Sequence, residues 1–175
     1  MLYEIKTDRL ILRPLTALDL KTVHEYASDK DNALYMRWLP NETIEETMNF
    51  LAGVENEWSK SEPFSYEFAI VLDGVHIGAV SAVLDDKRQE AEIGWILNKK
   101  YWYKGYAHEA ALAIKNFALR TLQVKKIIAI CDYRNERSYH LMEKIGLKLE
   151  NDNGIWEYPK RNESVRALIY SIVVE

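Results

Sequence analysis

Cysteine is almost missing from this 175-residue chain, where Cys131 stands alone. No disulfide can close within the chain and no multi-cysteine zinc site can form. A reducing, cytoplasmic setting is therefore expected. Long apolar runs are missing as well. None reaches the roughly 20 residues that a membrane span needs, and the opening MLYEIKTDRL lacks the apolar core of a signal peptide. Glycine and proline are few, seven and four, with no Pro/Gly/Ser linker, low-complexity tract or internal repeat to divide the chain. A single domain over residues 1–175, with one sizeable core, is the expectation. A basic excess is missing too: the formal net charge is −4, which argues against nucleic acid as a partner. The four histidines, His24, His76, His108 and His140, show no metal-ligand spacing, so no metal cofactor is expected.

What is present reads as an ordered series of elements. Tyr3 to Arg13 alternates like a strand, and TALDLKTVHEYAS and TIEETMNFLAGVENEW carry helical stripes. Thr16 and Thr43 stand as N-caps, with Asp19 and Glu46 three residues on. YEFAIVL and HIGAVSAVL flank Asp73-Gly74, a hairpin signal. EAEIGWIL is the next strand. A helix of about 15 residues follows, with Ala110, Ile114, Phe117, Ala118 and Thr121 on one face. KKIIAICD is continuously apolar and reads as a central strand covered on both faces. NERSYHLMEKIG is a short helix closed by Gly146, and two strands end the chain, Leu147–Tyr158 and Val165–Val174. The order is β-α-α-β-β-β-α-β-α-β-β. A helix joins strands 4 and 5, so they should run parallel, with hairpins making the rest antiparallel. The fold class is α/β of the α+β type: one mixed, mostly antiparallel sheet of about seven strands flanked by helices.

The stretch WYKGYA, Trp102 to Ala107, lies between a strand and a helix N-terminus. Free N–H groups and the macrodipole make such a turn an anion site. Gly105 and Ala107 keep side chains out of the way and Lys104 adds a charge. A plain packing turn would read the same. It is not a Walker A loop, since no Gly-Lys-Ser/Thr follows, nor a dinucleotide fingerprint, since two of three glycines are missing.

EIGWILNKKYWYKGYAHEA resembles the acetyl-CoA-binding core of the GNAT N-acetyltransferase superfamily. In that family a Gln/Arg-x-x-Gly-x-Gly/Ala turn holds the CoA pyrophosphate on backbone N–H groups. Trp102 stands at the first position, Gly105 at the Gly and Ala107 at the Gly/Ala. Trp is usual in the branch similar to ribosomal-protein-alanine N-acetyltransferases, which often carries Gly where Tyr103 stands here. TDRLILRPLTALDL resembles that branch's first strand and helix. NERSYHLMEKIGL resembles its second CoA motif, with Leu147 in place of Phe. The resemblance runs in order from about Thr7 to Leu147. It implies a GNAT-like sheet with strands 4 and 5 splayed, acetyl-CoA as cosubstrate and an amine as acceptor. It also leaves room for a homodimer.

The implied reaction is attack of a neutral amine on the thioester. It needs a sink for the amine proton and a donor to the leaving thiolate. The resemblance implies that Ser138 is the donor; a first-turn serine beside an Asn135 N-cap would also simply bond locally. Many GNAT enzymes use a Tyr four residues later, where this chain has Met142. Glu92 is the candidate base, with a solvent-facing strand residue as its alternative reading. Asn135 either positions the pantetheine or caps the helix. The cofactor-binding set is Trp102, Tyr103, Lys104, Gly105, Tyr106, Ala107, Asn135 and Ser138, with the backbone of Ile96 and Leu97 pairing to the pantetheine. Cys131 reads as a core thiol, not a nucleophile. Loops around Asp29 to Glu42 and the last hairpin are expected to set the acceptor. Two other readings remain: a non-catalytic CoA-binding sensor, and a nucleotide-binding α/β domain.

Overall fold

The structure is a computed structural model and describes residues 3–174. Its elements are β1 (Ile5–Lys6), β2 (Leu10–Pro14), α1 (Leu20–Ala27), α2 (Ile44–Trp58), β3 (Ser65–Leu72), β4 (Val75–Leu84), β5 (Glu90–Leu97), α3 (Tyr106–Arg120), β6 (Lys126–Asp132), α4 (Glu136–Lys144), β7 (Lys148–Tyr158) and β8 (Glu163–Val173). One eight-stranded sheet has the order β1-β2-β3-β4-β5-β6-β8-β7. Only β5 and β6 run parallel. The eighth strand arises because the expected first strand is broken: Thr7, Asp8 and Arg9 leave the ladder and the Thr7 N–H closes on the Leu10 carbonyl at 2.9 Å.

Local signals act as their chemistry requires. Asp73 and Gly74 both take positive φ, 49° and 80°, the two left-handed residues of a tight hairpin turn. The Glu46 N–H donates to Thr43 Oγ1 at 3.3 Å, while the Glu46 carboxylate accepts from the Glu42 N–H, one residue earlier than a capping box requires. Thr121, expected on the buried face of α3, is instead the exposed residue that ends the helix.

The two faces of the sheet carry different loads. Ala110, Ile114 and Phe117 of α3, Leu141 and Met142 of α4, and Ile145 just past its end pack on one face with Phe68, Ile70, Ile93, Ile127 and Ala129. On the other face Val23 and Tyr26 of α1 and Leu51 and Val54 of α2 cover Ala69, Val71 and Ala79. Those two helices lie mainly over β3 and β4. Beyond them the floor is open: Glu92, Gly94, Ile128, Ile130 and Ile169 all keep partial exposure. β6 is central, but it is not covered on both faces as its apolar run suggests. Its second face floors a cleft.

Candidate active site

The parallel pairing is short. β5 and β6 are in register only from Glu90/Lys126 to Glu92/Ile128, although β5 runs on to Leu97 and β6 to Asp132. Past that point the strands part. The splay inferred for strands 4 and 5 is this gap. At its mouth stand the N-termini of α3 and α4.

The turn before α3 is built around Gly105, which takes φ +83°. The first helical bond runs from the Glu109 N–H to the Gly105 carbonyl at 3.1 Å. The N–H groups of Tyr106, Ala107 and His108 therefore have no helical partner, the condition an anion site at a helix start requires. Tyr103 is also left-handed, φ +62°, and almost fully exposed. The position where the resembled branch often carries Gly thus has a glycine-like backbone here. Lys104 is exposed, with its ammonium 5.7 Å from the Tyr101 ring.

The chain from Thr7 to Arg9, which breaks the first strand, is a latch on this turn. Arg9 Nη1 donates to the Lys104 carbonyl at 3.0 Å and Arg9 Nε to Glu109 Oε2 at 2.7 Å. Thr7 Oγ1 and the Arg9 N–H both donate to Glu109 Oε1. The Arg9 guanidinium stacks 4.6 Å from the Tyr106 ring. Burial works against the Glu109 charge, but these bonds hold its carboxyl below the usual range.

The Trp102 side chain is a strut. Its Nε1–H donates to the Leu97 carbonyl at 2.8 Å, and Asn32 Nδ2 reaches the same oxygen at 3.2 Å. The expected backbone roles shift accordingly. The Asn98 N–H bonds the Ile77 carbonyl, which makes Ala79/Ile96 a hydrogen-bonded pair and Gly78/Leu97 a non-bonded one. The polar groups of Ile96 are thus turned to β4. Those of Trp95 and the Leu97 N–H face the gap, and Trp95 is the residue that sequence reading missed.

Across the mouth, Asn135 caps α4: its Oδ1 accepts the Ser138 N–H at 3.3 Å. Ser138 lies beside the buried Cys131, whose thiol burial pushes up to about 12. Met142 is 1% exposed and offers no alternative. Arg137 stacks 3.9 Å over the Trp102 ring and donates to Tyr103 Oη at 3.3 Å, spanning the two turns.

On the cleft side, burial raises the Glu92 carboxyl, Arg37 opposes that rise and Glu90 adds to it. Arg37 stacks 4.3 Å over Trp156. Lys160 Nζ donates to the Pro40 carbonyl at 2.8 Å and bonds Glu46. The loop after α1 and the β7–β8 hairpin, both expected to shape the acceptor site, thus meet across the cleft. A second carboxylate, Glu67 of β3, lies on the same face, and burial pushes it up to about 7 against the opposing effect of the Ser81 hydroxyl across the strand pair. Its signal in the sequence was a lone acid inside SYEFAIVL. Among the described residues no cluster of three metal-type ligands stands together, and no helix is long and apolar enough to cross a membrane.

The family model described as Acetyltransferase (GNAT) domain matches residues 9–148. An uncharacterised N-acetyltransferase of Bacillus subtilis, YnaD, is 31% identical over 175 residues, covering 98% of this chain and 97% of its own. The spermidine N(1)-acetyltransferase of Escherichia coli K12 is 28% identical over 144 residues, 81% of this chain and 74% of that one. The crystal structure of a GNAT-family acetyltransferase from Bacillus anthracis superposes with a TM-score of 0.84 at 32% identity, covering 98% of each chain. A sheet parted between β5 and β6, a left-handed glycine turn at the gap's mouth and these matches converge: the chain belongs to the GNAT family and is an acetyl-CoA-dependent acetyltransferase.

Proposed function

We propose that the chain is one acetyltransferase domain that moves the acetyl group from acetyl-CoA directly to a primary amine in a ternary complex, in the cytoplasm. The observation that carries this is the Gly105 turn, with three unpartnered helix N–H groups, set at the mouth of the β5–β6 gap. The residues present fit the cosubstrate. The turn from Trp102 to Ala107 would hold its pyrophosphate, and Trp95 with Leu97 would pair with its pantetheine. Bound there, acetyl-CoA supplies the activated acyl group.

Ser138, in the first turn of α4 behind the Asn135 cap, donates the proton to the leaving sulfur. Glu92, on the cleft floor, is the carboxylate that meets the acceptor amine, directly or through water. The acceptor is a small-molecule amine or a protein N-terminus. An acid-lined cleft in a chain of net charge −4 favours the protonated amine's approach.

Thiol release from acetyl-CoA, screened against polyamines, amino-sugar antibiotics and peptides with free N-termini, tests the reading. Turnover with at least one class, lost by about 100-fold in Ser138→Ala or Glu92→Gln, is expected for groups that touch the leaving sulfur and the acceptor amine. Wild-type rates in both variants would remove these assignments. Tight acetyl-CoA binding with no acceptor turned over would point to a sensor instead.

A further inference from the structure

Glu67, Ser81 and Gly94 stand in one row across three adjacent strands, because the register pairs Glu67 with Ser81 and Ser81 with Gly94. Side chains directly opposite on one face lie about 5 Å apart. Glu67 is the one charged residue of β3. Ser81 of β4 stands directly opposite it, the Tyr26 phenol of α1 feels its charge, and the Trp58 indole N–H of α2 bonds its backbone carbonyl at 3.0 Å. Among the described residues no cation pairs with it. A carboxylate without a cation partner in a site that burial shields costs stability. Ser81 leans across the row: a Cβ placed on Gly94 would come 3.2 Å from Ser81 Oγ. Gly94 leaves that space clear, two residues past the last β5–β6 pair and open to the cleft.

We infer that Glu67, acting through the Ser81 hydroxyl, receives the proton of an acceptor ammonium held over Gly94. The inference rests on the acetyltransferase reading above and deepens it. In the step, one N–H bond of R–NH3+ breaks and its proton passes to Ser81 Oγ. The serine's own proton passes to the Glu67 carboxylate. The products are a neutral amine, an unchanged serine and a protonated Glu67, which later returns its proton to solvent. The two carboxylates of the face divide the work. Glu92, where Arg37 opposes the rise that burial causes, holds the ammonium. Glu67, with no cation, is tuned towards neutrality and takes the proton.

The test joins two measurements on wild type, Glu67→Gln, Ser81→Ala and Gly94→Ala. Rates are taken from pH 5 to 9 with acetyl-CoA and two probes, spermidine and a tripeptide beginning with alanine. Carboxyl titrations are followed by carbon-13 NMR with labelled glutamate, which needs no acceptor. The relay predicts a Glu67 signal titrating near 7 that moves up in Ser81→Ala. It also predicts a rate that falls as pH drops through that value, with kcat lowered about 100-fold in Glu67→Gln and the acidic limb gone. The KM for acetyl-CoA stays unchanged, and Ser81→Ala and Gly94→Ala follow in the same direction. A Glu67→Gln enzyme with the wild-type rate and limb overturns the relay, as does a Glu67 titrating in the ordinary carboxylate range. If neither probe is acetylated, the NMR titration decides. Failure of wild type to bind acetyl-CoA sinks the acetyltransferase reading itself, a separate result.

Discussion

Tyr103 and Gly105 share a left-handed backbone two residues apart, yet only one of them is glycine. A non-glycine residue in that region carries a strain of roughly 1–2 kcal/mol. Tyr103 is 88% exposed and its polar contact is the bond from Arg137. Tyr103→Gly should therefore leave stability equal to wild type or up to about 1 kcal/mol higher in chemical denaturation. A loss greater than that would show a role for the ring that its exposure does not suggest. Cys131 gives a second expectation at this scale. Buried and with its thiol held high by burial, it should resist a thiol reagent at pH 8 in the folded protein and react on unfolding. The Gly105 and Ser138 positions were legible because their motifs are local and fixed in spacing. Glu67, Ser81 and Trp95 were not, since their relation is a register across strands 14 or more residues apart.

The break between β1 and β2 has a purpose that alternation alone could not reveal. TDRL looked like the continuation of a strand, but Thr7 and Arg9 leave the ladder to bind Glu109 and the Lys104 carbonyl, about 100 residues away in sequence. The latch fixes the start of α3 and with it the N–H groups offered to phosphate. As an exposed ion pair it adds little to stability; its effect is on geometry. Arg9→Ala should raise the KM for acetyl-CoA by about tenfold, or about 1.4 kcal/mol, with kcat little changed. Equal losses in kcat and affinity would instead mean that the whole turn had collapsed. The reading of β6 failed for a related reason: the apolar floor of a cleft and a buried core strand have the same composition, and only the extent of α1 and α2 tells them apart.

For the molecule as a whole, the sheet must do two incompatible things, closing a core and leaving a slot through it, and its pH response records the compromise. Glu67 is raised from its ordinary 4.5 to about 7. The native state therefore binds more protons than the unfolded chain between those values, and stability falls as pH rises through that window. The shift corresponds to a loss on the order of 3 kcal/mol. Asp19 and Asp132, bonded by Arg13 and Arg134 against the opposing effect of burial, have lowered carboxyls. They contribute stability above the unfolded carboxylate range that disappears as pH falls through their folded values. His76, lowered by burial, also loses stability on acidification below 6.5, so the difference between proteins is the clean measure. Glu67→Gln should gain stability over wild type as pH rises from 5 to 8 and match it near pH 4; a constant difference would show that Glu67 is ordinary. The order of elements along the chain, the parallel pair and the helix count could be read from hairpin signals and connection lengths; the place of β8 between β6 and β7 could not. The splay entered only through resemblance, because a gap between strands leaves no periodicity of its own. That gap and its glycine turn are the central claim, and calorimetric titration with acetyl-CoA tests it most directly. One molecule should bind per chain, about tenfold more weakly in Gly105→Val, where a branched side chain must take φ +83°. No heat of binding in wild type, or equal affinity in the variant, would contradict it.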